Sequence, residues 1–146
     1  MNKVILLLLI SVLSLHILSA QDTIYIPDSN FKNALLSNPS INTTDDGEIT
    51  TDEALTVDFL DVSSKGISDL TGIKAFTNLE TLDCGNNSLT SLDVSGLTNL
   101  RVLSCSVNSL TSLDVSGLTN LESLICGGNS LTSLDVSGLT NLRVLS

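Results

Sequence analysis

Much of the usual equipment for chemistry is missing from this chain. Tryptophan is absent, tyrosine occurs once, and the single histidine is His16. Aromatic residues make up 3% of the sequence, so the bulky anchors that dominate most tight interfaces are scarce. Basic residues are few as well, with Lys and Arg numbering 6 against 16 Asp and Glu. A surface so acidic repels nucleic acid and anionic lipid, which excludes both as partners. After residue 20 no apolar run is long enough to cross a bilayer.

Residues 1–20, MNKVILLLLISVLSLHILSA, have the layout of a secretory signal peptide. Lys3 precedes an apolar stretch, and the segment closes on Leu18-Ser19-Ala20, giving cleavage before Gln21 and a secreted or cell-surface location. Cleavage removes His16 and Lys3, leaving 5 basic against 16 acidic residues, a formal charge of −11. A mature chain without imidazole has no Ser–His or Cys–His nucleophile system and no conventional zinc site. The expectation is therefore a non-enzyme, and catalysis would need a further domain.

What the chain has is repetition. NSLTSLDVSGLTNL occurs unchanged at 87–100, 108–121 and 129–142, so the copies follow one another at a constant period of twenty-one. Each unit follows L-x-x-L-x-C-x-x-N-x-L: Leu79, Leu82, Cys84, Asn87, Leu89; then Leu100, Leu103, Cys105, Asn108, Leu110; then Leu121, Leu124, Cys126, Asn129, Leu131. A divergent first unit runs Val57, Leu60, Val62, Lys65, Ile67, and its step on to Leu79 is one residue longer than the rest. Alternation in T-L-D-C-G and V-L-S-C-S predicts a short strand with one buried face. So short a strand cannot bury that face alone, and the next copy must stack beside it, like on like. The second half of each unit reads as a second short strand or an extended turn, since Gly96, Gly117 and Gly138 break helical register.

This pattern resembles the leucine-rich repeat. The first unit is similar to the 22-residue internalin-type repeat, and the later ones to a 21-residue variant found in secreted Bacteroidetes-type proteins. The resemblance implies a β-rich solenoid of the α/β class, with parallel strands on a concave face and an N-terminal cap. The expected division is a leader at 1–20, a cap at 21–56 and repeats at 57–146, the last one truncated. NLRVLS stops where the pattern calls for Cys, so the sequence reads as part of a longer array.

The cap contains Phe31, Ala34 and Leu35 at helical spacing, with Asp28 or Ser29 as N-cap and a stop at Asn38-Pro39. The loop that follows matches an EF-hand in part: Asn42, Thr44, Asp46, Glu48, Thr50 and Glu53 fall at ligand positions, and Gly47 at the sharp turn. Internalin caps are similar to a truncated EF-hand, so calcium is the one candidate cofactor. Asn at the first position and Thr at the third each remove a carboxylate from it.

Cys84, Cys105 and Cys126 read as small buried hydrophobes, because parallel neighbouring strands give poor disulfide geometry. Asp93, Asp114 and Asp135 form an outward column, each solvated or held by nearby hydroxyls. The candidate ligand face consists of the outward strand residues: Phe59, Asp61, Ser63, Thr81, Asp83, Gly85, Val102, Ser104, Ser106, Ser123, Ile125 and Gly127. The units differ most at these positions, as a recognition surface requires. Two functions follow, a module that binds a protein or glycan through the concave face, or a spacer whose repeats only set length.

Overall fold

The computed structural model describes residues 22–146, and the leader expected at 1–20 lies outside them. Five parallel strands form one sheet in chain order. They are β1 (Phe59–Asp61), β2 (Thr81–Asp83), β3 (Val102–Ser104), β4 (Ser123–Ile125) and β5 (Val144–Leu145). Phe59 pairs with Thr81, which is the longer first step. Thr81 then pairs with Val102, Val102 with Ser123 and Ser123 with Val144, each at the shorter spacing. The repeat lengths read from the sequence are thus the strand register itself.

Equal positions stack into buried columns. Leu60, Leu82, Leu103 and Leu124 form one, and Val62, Cys84, Cys105 and Cys126 the next. All join one continuous core with the cap residues Phe31, Leu35, Ile41 and Ile49. The three thiols are free and buried, and burial pushes their pKa values up, that of Cys105 to about 12. They fill space, as expected. The second half of each unit is extended turn, and the only regular element there among the described residues is a 3-10 turn at Ile73–Ala75. No second strand forms among them; backbone bonds there close turns within one coil, as from the Leu97 amide to the Val94 carbonyl and from the Leu118 amide to the Val115 carbonyl.

The cap is two helices around a loop. Helix α1 (Ser29–Leu36) starts at Asp28, whose Oδ1 accepts from the amides of Asn30 and Phe31. Helix α2 (Thr51–Ala54) starts at Thr50 with a capping box closed by Glu53. Thr23 bridges Thr50 antiparallel, and the Ile24 amide donates to the Ile49 carbonyl. Gly72 of the first repeat lies tight against the cap. At φ +106 it is left-handed, and a Cβ there would lie 2.9 Å from Ile26 Cγ1 and 3.1 Å from the Tyr25 carbonyl oxygen.

One further column departs from expectation. Ser64, Asn86, Val107 and Gly128 occupy the same turn position, all with positive φ. Gly and Asn accept this region readily, whereas a β-branched residue does so at a cost of about 1–2 kcal/mol. Val107 is also 56% exposed, so its side chain recovers little of that by burial. Val107→Asn is expected to raise stability by about 1 kcal/mol, read as a melting temperature higher by a few degrees; an unchanged or lower value would show that Val107 packs usefully.

Candidate functional site: the outward face of the sheet and the cap loop

Alternation along each strand sends its middle residue into the core and its flanking residues out. Two outward columns result, Phe59–Thr81–Val102–Ser123 and Asp61–Asp83–Ser104–Ile125. The structure therefore brings together on one face eight of the twelve residues named from the sequence. Phe59 is 61% exposed, and Asp61 is exposed beside it. Asp61 accepts the Ser63 amide at 2.9 Å, and Asp83 accepts the Gly85 amide at the same distance, each through Oδ1. Hydrogen bonds from the Ser63 amide and hydroxyl hold the Asp61 carboxyl below its ordinary range.

The remaining four, Ser63, Gly85, Ser106 and Gly127, lie where the chain leaves the strand, and they are not a uniform surface. Gly85 is buried, while Gly127 is exposed and the two serines are half-buried. A Cβ on Gly85 would lie 3.1 Å from Asp83 Oδ1 and 3.2 Å from Ser106 Oγ, so this residue is floor beneath its neighbours.

Just below that rim runs the amide ladder. Asn108 Oδ1 accepts the Leu89 amide of the preceding unit at 2.9 Å, while Nδ2 donates to the carbonyls of Cys84 and Cys105 at 3.0 and 3.1 Å. Asn129 repeats the arrangement on Leu110, Cys105 and Cys126, and Asn87 on Lys65, Ile67, Val62 and Cys84. A second ladder goes beyond the sequence reading. Asn78, Asn99, Asn120 and Asn141 donate to the carbonyls of Leu55, Thr77, Thr98 and Thr119. Its signal is present, an Asn at a fixed place in each T-N-L, but without the fold nothing tells which backbone group lies in reach. On the same flank Glu122 accepts from Arg101 Nη2 at 2.6 Å.

The Asp93, Asp114 and Asp135 column is occupied locally. Each Oδ1 accepts an amide two residues on, from Ser95, Ser116 and Ser137, and Asp93 Oδ2 also meets Lys74 Nζ at 2.9 Å.

The cap loop answers the calcium question through Glu53, the residue expected to bind the ion with both oxygens. Oε1 accepts from the amides and hydroxyls of Thr43 and Thr44 at 2.8–3.1 Å, and Oε2 from the amide and hydroxyl of Thr50, both at 3.0 Å. Those bonds occupy the lone pairs that an ion would need. Asn42 Oδ1 accepts the Asp45 amide, Asp46 Oδ1 the Glu48 amide, and Glu48 pairs with Lys32 Nζ at 2.8 Å. Thr44 and Thr50, two more of the expected ligands, are themselves donors to Glu53. The residues present do not fit calcium; the loop is closed by hydrogen bonds where an EF-hand is closed by metal. Among the described residues no group of three or more His, Cys, Asp or Glu side chains is placed to hold a metal ion.

A single parallel sheet of short strands, one per repeat and in chain order, capped at its N-terminal end, defines a leucine-rich-repeat solenoid. Family comparison agrees: residues 78–100 match the Leucine Rich Repeat, and residues 98–135 match Leucine Rich repeats (2 copies). Among solved structures the chain resembles the functional domain of InlJ from Listeria monocytogenes, a domain described as including a cysteine ladder. Identity there is 39% over 82% of this chain and 26% of that one, with a TM-score of 0.73. Internalin C2 from L. monocytogenes strain 4b F2365 is similar at 26% identity over 86% of this chain and 57% of that one, with a TM-score of 0.69. InlF from the same strain, at 22% identity over 88% of this chain and 46% of its own, shares the fold with a TM-score of 0.63. Repeat matches and neighbours together support a leucine-rich-repeat chain that is internalin-like in fold. It spans between about a quarter and somewhat over half of those three chains. A search of curated proteins returns no match.

Proposed function

We propose that the chain is a secreted or cell-surface recognition module that binds another macromolecule, a protein or a glycan, on the concave face of its sheet. Leucine-rich-repeat domains of internalin-like proteins generally bind proteins, which supports a protein partner first. One observation carries the choice of face. Residues 87–100, 108–121 and 129–142 are identical, so between the later units variation is concentrated around the strands, as in Val102, Ser104 and Ser106 against Ser123, Ile125 and Gly127. Those side chains support no ladder and no core column.

The spacer reading draws on the same identity, since repeats that only set length have no reason to differ. Steric blocking separates the two. Ser104→Trp and Ser123→Trp are expected to lower binding of a captured partner or glycan at least tenfold, and Ser112→Trp on the turn side to leave it unchanged. Binding insensitive to both strand-face substitutions would place recognition elsewhere. The proposed activity is non-catalytic, and no helix among the described residues is long and apolar enough to span a membrane.

A further inference from the structure

The outward columns are unlike at their two ends. Toward the cap they read Phe59, Thr81 and Asp61, Asp83; two units later the same places hold Ser123 and Ile125. The repeat frame therefore demands neither the aromatic ring nor the carboxylates. Both have a structural cost. Asp61 and Asp83 are register partners on adjacent parallel strands, about 4.8 Å apart along the ladder. Like charges facing each other across strands destabilise a sheet. Phe59 leaves most of its ring in water.

Among the described residues each aspartate accepts an amide through Oδ1, from Ser63 and from Gly85, and the Ser63 hydroxyl also bonds the Asp61 carboxyl. Among the described residues neither takes part in an ion pair; Lys65 is near enough to favour ionised Asp61 without closing on it. Two carboxylates with acceptor capacity left over and one exposed aromatic ring thus share the first two strands. That combination suits a guanidinium or ammonium group, which hydrogen-bonds carboxylates and is attracted to an aromatic face.

We propose that the cap-proximal end of the concave face, Phe59 with Asp61 and Asp83, receives a lysine or arginine side chain from an extended segment of a partner protein. This rests on the concave-face reading above and names the chemistry of its partner. A neutral glycan fits less well, because it brings no charge to offset two carboxylates facing each other across adjacent strands. An anionic glycan is repelled. Beyond Asp83 three of the outward residues, Ser104, Ser106 and Ser123, are small beside Val102 and Ile125, leaving room for the segment's backbone to lie along the sheet.

The test pans a display library of random linear peptides against the full chain and then measures one enriched peptide by calorimetry. Asp61→Asn and Asp83→Asn keep the Oδ1 acceptor and relieve repulsion, so both variants are expected to fold. The enriched peptides should carry Lys or Arg. Affinity should fall at least tenfold with Asp83→Asn, with Asp61→Asn, and when the peptide's basic residues become glutamine. Phe59→Ala should cost several-fold. Asp114→Asn and Asp135→Asn remove the same charge from the turn side and should change nothing; equal losses there would mean unspecific attraction and overturn the proposal. Enriched peptides without basic residues that Ser104→Trp still blocks would overturn it and leave the concave face standing. Peptides indifferent to Ser104→Trp would remove both readings. Chitosan oligomers that bind with the same variant pattern while peptides do not, or a library that yields no binder, would also overturn it.

Discussion

Asn108→Ala is expected to lower the unfolding free energy by about 2 kcal/mol, because one substitution strands a buried amide and takes one of two side-chain donors from each of two carbonyls. The Leu89 amide loses its acceptor, while the Cys84 and Cys105 carbonyls lose Asn108 but keep Asn87 and Asn129 as donors. The stranded amide lies where two coils meet, away from the strand ladder, so relaxation of one coil does not repair it. Asn108→Asp is the sharper variant. It keeps the acceptor for Leu89 and turns a carboxylate toward two carbonyl oxygens, so its penalty should grow as pH rises through the carboxylate range. Urea unfolding at pH 4 and pH 7 checks both. A loss below about 0.5 kcal/mol for Asn108→Ala would show that water replaces the ladder without cost.

The second large effect is at Glu53, which is 4% exposed. Burial alone would raise its pKa, but hydrogen bonds from Thr50 and Thr44 outweigh burial and hold it at about 2, against 4.5 for an ordinary glutamate. A depressed carboxyl stabilises the folded state above the unfolded pKa, and the benefit is lost as pH falls from about 4.5 toward 2. The difference corresponds to about 3 kcal/mol at neutral pH. Glu53→Gln keeps the volume but points an amide group at donors. Neutral-pH stability of the cap should fall by about 2–3 kcal/mol, and the acid limb of the stability profile should flatten. Asp28 titrates in the same sense: burial opposes its ionisation, but amide and hydroxyl donors from Phe31, Ser68 and Asp69 bring its pKa below the ordinary value. An acid limb as steep in Glu53→Gln as in the parent would assign the loss to Asp28 or elsewhere.

Periodicity makes the repeat region legible in detail. A strict spacing of Leu, Cys and Asn determines which residues face inward, and one longer step followed by equal shorter ones determines the register before any coordinates. The cap is legible in kind only. A loop with Gly47, Ile49 and Glu53 in their EF-hand places reads the same whether Glu53 closes on an ion or on Thr43, Thr44 and Thr50. That choice depends on which oxygens the folded loop turns inward, and no spacing encodes it. Asp28 shows a similar limit: its N-cap role is local and readable, whereas Oδ2 also accepts from the Ser68 amide and hydroxyl, far away in sequence. Gly85 reads as surface by its place in the pattern, but only the conformation of Asp83 and Ser106 above it decides that it is floor.

A last consequence concerns inheritance. Because one coil offers its neighbour the same columns as any other, a gene segment encoding a single repeat could be lost or duplicated by recombination between copies without disturbing a single contact type. Such a change would move the far end of the molecule while leaving the Phe59–Asp83 corner fixed against the cap. Copy number and binding chemistry are then free to evolve separately.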